Sequence, residues 1–295
     1  MLPFLRLMRP ANIVTALADI LAGFFIGLIM HQPWPGWQAL AYPDLYGLLL
    51  ATAGLYAGGV VLNDVFDAEL DALERPERPI PSGRVSLRAA TLLGILLLLA
   101  GVWAASQVGP ESATIAVLVG GLAVLYDAYG KHHPWMGPLN MGLCRGGNLI
   151  LGMSAWPLGP VSMALGLIPV LFISAVTLVS RGEVASQGKR PLQQGLILYL
   201  LLLAALTALQ FWTPFENSWA WLFVILFAVV VLPPLLRALQ RARPEQIGKA
   251  VKWGVLGLIP MDAALAASFA GWQAGLLILI LLPLSLGLAR LFAVT

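Results

Sequence analysis

Asn63-Asp-Val-Phe-Asp-Ala-Glu-Leu-Asp71, followed by Arg75-Pro-Glu-Arg-Pro-Ile-Pro-Ser-Gly-Arg84, is where residue types and spacing point most directly to chemistry. Asp64, Asp67 and Asp71 stand at i, i+3 and i+7, with Asn63 one step before them. On a continuous helix all four project from one face. Three carboxylates on one face at the end of an apolar run repel one another and lose hydration, unless a cation sits among them. Hard oxygen ligands of this kind suit Mg2+, which keeps several waters and is shared with substrate phosphates. Arg75 and Arg78 could hold the same phosphates by forked hydrogen bonds. The alternative is a solvated acidic helix end before an ordinary basic loop. Against it, five of the 14 acidic residues in the chain fall between Asp64 and Glu74, and unpaired charge at a membrane is expensive.

The elements that must position these groups are membrane helices. The 295 residues are 59% hydrophobic and 11% charged, with a mean hydropathy of +0.86. Apolar runs recur at 12–30, 44–62, 88–107, 112–130, 136–156, 161–180, 191–211, 218–238, 249–270 and 272–292, each long enough to cross a bilayer. Gly and Pro mark most of the breaks, and Pro169, Pro233, Pro260 and Pro283 fall within spans, where neighbouring helices tolerate them. The expected fold is all-α: a polytopic bundle of nine or ten transmembrane helices in one domain, 1–295, because no polar linker separates two.

Charge fixes an orientation. Arg6 and Arg9 precede the first span, Arg75 to Arg88 follow the second, Lys131 the fourth, and Arg181, Lys189 and Arg190 the sixth. Five more bases, Arg237 to Lys252, surround the junction of the eighth and ninth spans, and Arg290 ends the tenth. The alternate loops carry no Lys or Arg. With ten spans the positive-inside rule places both termini and the motif loops in the cytoplasm, in a bacterial inner membrane. The turn at Gly271 must then be very tight; nine spans with one re-entrant segment is the alternative. The net charge of +3 does not imply nucleic acid, since the bases are scattered among short loops. The single cysteine, Cys144, excludes an internal disulfide. Arg6 and Arg9 before an apolar run resemble a signal peptide, but Asn12 and Asp19 are too polar for one, so a retained first span is expected. Trp34, Trp37, Trp212, Trp219 and Trp221 cluster at outer ends as interfacial anchors. Gly54-x-x-x-Gly58 and Gly142-x-x-x-Gly146 permit close helix contact.

Several polar residues lie inside spans. Arg9, Asn12, Thr15 and Asp19 step along one face of the first, and a carboxylate at that depth should face protein or a water-filled cavity. Tyr126-Asp-Ala-Tyr-Gly-Lys131 links the fourth and fifth spans. Asn140, Arg145 and Asn148 share a face of the fifth, aimed at the cavity that the acidic helix borders. A buried Arg145 should meet a phosphate or a carboxylate, with Asp127 and Asp262 as candidate partners. His132 and His133 read as interfacial loop residues, and Cys144 as packing.

Arg9-Pro-x-Asn12, then Asn63-Asp-x-x-Asp-x-x-x-Asp71, then Arg75-Pro-x-Arg-Pro-Ile-Pro-Ser-Gly-Arg84, in that order, resembles the UbiA superfamily of intramembrane prenyltransferases. Tyr126 to Lys131, with Gly137 and Asn140, also resembles that family's central segment. Cys144-Arg-x-x-Asn148 resembles its Ebo-type branch, found in bacterial secondary-metabolite operons. The resemblance implies a helical bundle with a central cavity open laterally to the lipid bilayer, in which a prenyl diphosphate lies. It implies that Asn63, Asp64, Asp67 and Asp71 hold Mg2+ against the diphosphate. Arg9, Asn12, Arg75, Arg78, Lys131, Arg145, Arg181 and Lys189 would neutralise its oxygens, and Asp19, Tyr126, Asn140, Asn148 and Glu183 would be polar cavity residues. Loss of diphosphate would leave an allylic cation for a small acceptor to attack. One departure stands out. The family has a second aspartate motif after the sixth span, whereas Ser180-Arg-Gly-Glu-Val-Ala-Ser-Gln-Gly-Lys-Arg190 holds one carboxylate, Glu183. A Mg2+-dependent prenyltransferase is therefore the first expectation. A non-catalytic carrier of an isoprenoid or secondary metabolite is the second. An ion-coupled transporter using Asp19 and Asp262 leaves Asn63 to Arg84 unexplained.

Overall fold

The structure, a computed structural model, describes residues 2–182, 189–212 and 219–292, and the expected cavity residue Glu183 lies outside them. A short α1 (Leu2–Met8) precedes α2 (Pro10–His31), α3 (Pro43–Phe66) and a brief α4 (Ala68–Glu74). Then come α5 (Leu87–Ser106), α6 (Pro110–Ala128), α7 (Met136–Met153) and α8 (Pro160–Arg181). The chain continues through α9 (Arg190–Trp212), α10 (Ala220–Arg241), α11 (Pro244–Leu256), α12 (Leu258–Ala270), α13 (Trp272–Leu279) and α14 (Leu281–Phe292). Pro opens α2, α3, α6, α8 and α11 in the first helical position, where its missing N–H has no partner to lose. Ser86 caps α5, its hydroxyl accepting from the Ala89 N–H at 3.2 Å.

Among the described residues nine helical stretches are long and apolar enough to cross a membrane, and the protein is a multi-pass membrane protein. The remaining expected span, the fifth at 136–156, is α7, where Asn140, Arg145 and Asn148 lower the apolar character. Pro244–Ala270 is one span broken at Gly257, just before Pro260, and the last is broken at Ile280, just before Pro283. The tight turn at Gly271 is made by its positive φ of 86°, which glycine adopts without a Cβ clash.

The spans form an inner and an outer layer. In α2 and Pro244–Ala270, 72% and 89% of the spanning window is buried, against 22–28% in α5, α6, α9 and the last span. The outer helices turn Leu96, Leu99, Trp103, Ile197 and Leu201 outward, as hydrocarbon-facing surfaces require. Trp37, Trp212 and Trp219 are exposed as expected of anchors. Trp34 instead turns inward onto Phe25, ring centroids 5.2 Å apart, and donates to Gln273 Oε1 at 3.3 Å.

Small residues set the closest approaches. Gly54 and Gly58 let α3 lie on α5, and Gly142 and Gly146 let α7 lie on α8. The contact that matters most for the polar interior is α2 on α7, where Gly152 packs against Ile20 and Gly23. A Cβ on Gly152 would sit 2.6 Å from the Ile20 carbonyl oxygen and 3.1 Å from the Gly23 Cα. Both are backbone atoms, so the helices must separate. Gly152→Val is expected to cost about 1–3 kcal/mol, read as a lower thermal midpoint in detergent; an unchanged midpoint would contradict this packing.

Candidate active site

The acidic motif does not lie on one helix. α3 ends at Phe66, and Asp67, with φ −90° and ψ 4°, links it to α4. The Asp67 N–H still donates to Asn63 O at 3.0 Å and the Asp71 N–H to Asp67 O at 2.7 Å, so the turn is tight but rotated. The expected common face is thereby split. Asp64 and Asp71 are buried and converge on Arg78, whose Nη1 is 3.4 Å from Asp64 Oδ1 and 2.6 Å from Asp71 Oδ2. Asp67 points instead to Lys131, with which it forms an ion pair.

Arg9 completes the cluster, its Nη2 donating to Asp64 Oδ1 at 2.6 Å. Its backbone is left-handed, φ 47°, between α1 and Pro10. Proline disfavours the right-handed helical region for the residue before it, and a left-handed non-glycine residue costs about 1–2 kcal/mol. That strain is held where the Arg9 side chain meets the motif. Asn63 turns its amide to Asp127, Nδ2 to Oδ1 at 2.8 Å. The loop that carries Arg78 is closed on itself: Arg84 donates to Glu77 O and to Ser82 Oγ, and the Val85 N–H donates to Pro79 O at 3.0 Å.

Through Arg9 and Asn63 this cluster adjoins a cavity of about 330 Å³, whose polar lining also includes Asn12, Tyr126, Asp127, Arg145 and Asn148; Asp64, Asp67, Asp71, Arg78 and Lys131 lie outside that lining. Between its ends the walls are apolar, with Leu55, Val60, Val119, Ile173 and Val176 among them. The far end is a second polar group. Arg145 Nη1 donates to Asp19 Oδ2 at 2.8 Å and Nη2 to Thr15 Oγ1 at 2.7 Å. Asn148 Nδ2 donates to Asp19 Oδ2 and to Ala16 O, both at 2.9 Å, while its Oδ1 accepts from the Thr52 hydroxyl at 2.6 Å. Asp262, fully buried, lies carboxyl to carboxyl with Asp19 and near Arg145, and its oxygens meet no N–H donor among the described residues.

Several expectations are corrected by this geometry. Arg145 pairs with Asp19, not with Asp127. Asp19 sits behind Arg145 and does not line the cavity. Asn140 is buried between α6 and α7, where its amide bonds the Leu122 carbonyl and the Tyr126 N–H, so it too is absent from the lining. Arg181 is tied to the α6–α7 connection, donating to His133 O at 2.9 Å and to Pro134 O. Arg75 and Lys189 are exposed. Asp127 beside Asn63, and Tyr56 and Thr52 in the cavity wall, were not singled out as site residues by the sequence. Tyr56 and Thr52 stand about two and about three helical turns before Asn63, and only that spacing on one helix hinted at them.

A cation fits the acidic cluster. All its donors are hard oxygens, and Arg78 already occupies a position between two buried carboxylates where positive charge is needed. Among the described residues no three His, Cys, Asp or Glu side chains close into a preformed metal cage, because Arg9, Arg78 and Lys131 each hold a carboxylate apart. Acids and bases gathered at one end of an apolar cavity inside a helical membrane bundle define an intramembrane protein built to meet a charged head with an apolar tail.

Residues 20–259 match the model of the UbiA prenyltransferase family, and the chain belongs to that family. It is 35% identical over 150 residues to a digeranylgeranylglyceryl phosphate synthase of Methanothrix thermoacetophila, covering 50% of this chain and 52% of that protein. A digeranylgeranylglyceryl phosphate synthase of Methanosarcina mazei is 32% identical over 186 residues, 61% of this chain and 63% of that one. The chain thus spans between half and two thirds of the length of these relatives. The fold is similar to a solved UbiA homologue from Aeropyrum pernix, with a TM-score of 0.67, 18% identity and coverage of 85% and 96% of the two chains. It is also similar to one from Archaeoglobus fulgidus bound to GPP and Mg2+, with a TM-score of 0.60, 16% identity and coverage of 94% and 99%.

Removing one member of the inner ion pair should cost more than removing both. Arg145→Met leaves two buried carboxyls without a cation and is expected to destabilise by about 3–5 kcal/mol. Adding Asp19→Asn should recover a substantial part of that. Thermal unfolding of the single and double variants in detergent measures the coupling; additive losses would show that the pair is not coupled.

Proposed function

We propose that this protein is a Mg2+-dependent intramembrane prenyltransferase that moves an isoprenyl group from a prenyl diphosphate to a small acceptor. The observation that carries the reading is the Arg9–Asp64–Arg78–Asp71 and Lys131–Asp67 cluster, which adjoins a largely apolar cavity through Arg9. Prenyl-diphosphate and Mg2+ binding come from the fold's likeness to the Archaeoglobus fulgidus homologue, and the transferase reading from the similar digeranylgeranylglyceryl phosphate synthases.

In this reading Asn63, Asp64, Asp67 and Asp71 hold the ion, which supplies charge neutralisation to the leaving diphosphate. Arg9, Arg78 and Lys131, which sit on those carboxylates, would with Asn12 donate charge-assisted hydrogen bonds to the diphosphate oxygens. The prenyl tail lies along Leu55, Val60, Val119, Ile173 and Val176. The bond from the allylic carbon to the diphosphate oxygen breaks with its electron pair on the oxygen, and the acceptor attacks the resulting cation. The apolar walls keep water from that cation. Arg75 and Lys189 contribute long-range attraction from the surface, while Arg181 positions the connection that carries Lys131. Tyr126 and Asp127 face the same mouth.

Two finer readings belong to the same proposal. One is a branch serving secondary metabolism, a reading supported by the Ebo-type likeness of Cys144-Arg-x-x-Asn148; the other is a bacterial inner membrane with the motif loops on the cytoplasmic side, a reading supported by the distribution of Lys and Arg. The competing reading, a non-catalytic isoprenoid carrier, is favoured by the thin second motif, Ser180 to Arg190, with its single Glu183.

Purified protein given geranyl, farnesyl and geranylgeranyl diphosphates with Mg2+ is expected to bind at least one and release diphosphate from it. Chelator should abolish release, and Asp64→Asn should lower it by about a hundredfold or more. Binding without release, with or without candidate acceptors, would favour the carrier. Neither binding nor release would overturn both readings.

A further inference from the structure

We propose that Asp127, which lies outside the acidic motif, is a ligand of the Mg2+ held at this site, together with the side-chain oxygen of Asn63. The inference rests on the prenyl-transfer reading above and deepens it by naming where the ion first lands.

Charge is unevenly matched around the motif. Each motif carboxylate is held by a base: Asp64 by Arg9, Asp71 by Arg78 and Asp67 by Lys131. Asp127 stands beside them, with Lys131, Asp67 and Asp64 as its charged neighbours. It makes no ion pair among the described residues, and its Oδ1 accepts from the neutral Asn63 amide at 2.8 Å. It is only 4% exposed, so water does little to screen it. Its place on α6 adds to the cost. Asp127 lies in the last turn of that helix, where the backbone dipole presents its negative end and no basic residue answers it. An unpaired carboxylate buried at such a place calls for a cation.

The cavity has room for one. Among the described residues Asp127 is the sole carboxylate in its lining, and Asn63 lines it too. A carboxylate only accepts, so the Asn63 amide nitrogen must be the atom that faces it. That leaves Asn63 Oδ1 and Asp127 Oδ2, two hard oxygens that receive no hydrogen bond among the described residues. The motif carboxylates, by contrast, lie outside the lining, each with a base on it. Mg2+ does not need a full protein cage. One or two carboxylates, several waters and the substrate's phosphate oxygens complete its shell. Asp127 and Asn63 therefore give the ion two oxygens on the cavity side without breaking an ion pair.

The test reads metal binding without turnover. Full-length protein in detergent, free of donor, is titrated with Mn2+, which shares the preference of Mg2+ for oxygen ligands and whose free form is counted by its EPR signal. Asp127→Asn keeps the shape and the acceptor for Asn63 but removes the charge. Its Mn2+ dissociation constant is expected to rise about tenfold or more over that of the wild type. Asp127→Glu, which restores the charge, should bind more tightly than Asp127→Asn. Asp44→Asn, at the exposed start of α3, should match the wild type. Thermal midpoints in chelator check the fold and are expected to stay at the wild-type value. Undiminished affinity in Asp127→Asn overturns the proposal, and so does an absence of Mn2+ binding by the wild type. Equal weakening in Asp44→Asn would show a response to net charge alone and overturn it as well. Weakening in Asp127→Asn that comes with a lower midpoint in chelator, and that Asp127→Glu does not repair, would assign Asp127 a structural role instead. Geranylgeranyl diphosphate binding with Mg2+ is read in the same samples. Its absence from the wild type would fall on the prenyl-transfer reading, while the Mn2+ series judges Asp127 separately.

Discussion

An ion inside the bilayer must bring its counter-charge with it, and the Arg145–Asp19 pair is where that constraint shapes the molecule. Moving either group from water to a low-dielectric interior costs several kcal/mol even after relaxation. The pair is tolerated because Thr15 accepts from Arg145 and Asn148, itself held by the Ala16 carbonyl, donates to Asp19 Oδ2, while Asp19 Oδ1 meets no donor among the described residues. That arrangement requires α2 and α7 to touch along their length, which in turn requires Gly23 and Gly152 at the crossing. Thr52, bonded to Asn148, ties α3 into the same contact. The positions of three helices therefore follow from one buried charge.

The outer cluster obeys a different rule. Asp67, with Lys131, lies nearer water, its side chain 21% exposed against 0% for Asp19, so its pairing is weaker and exchangeable. Arg9, Arg78 and Lys131 each hold a carboxylate of the acidic motif. A cluster of this kind is stable when empty and rearranges with little cost when a charged ligand enters. The inner pair has no such freedom. One end of the cavity is adaptable and the other is fixed.

Much of this was legible in the sequence. The span pattern, the proline starts and the need for a tight turn at Gly271 were all readable from composition and punctuation, because helix ends in lipid leave few local alternatives. Asp19 was recognisable as misplaced charge, and Arg145 as a charge needing a partner. Their pairing was not readable, since it depends on the rotation of α2 against α7, and Asp127 and Asp262 were equally good candidates by type. The helix break at Asp67 was hidden for a similar reason: nothing in Asn63 to Asp71 is a helix breaker, and the turn arises from tertiary pairing of Asp64 and Asp71 with Arg78 and of Asp67 with Lys131. Trp34 was read as an anchor because composition cannot distinguish a ring facing lipid from one facing Phe25.

The asymmetry of the cavity bears on why an ion pair was retained where apolar residues would pack as well. Replacing a buried pair by hydrophobic side chains is often neutral or stabilising, so stability alone does not account for Arg145 and Asp19. A guanidinium whose charge is cancelled from behind still presents unsatisfied N–H groups forward. It offers directional hydrogen bonds with little net attraction for an anion. Were Asp19 absent, Arg145 would compete with the outer bases for the same anion, and a charged head could be drawn into the wrong end of the cavity. The buried carboxylate thus does two things at once: it makes the arginine tolerable in the membrane, and it keeps the two ends of the cavity chemically distinct.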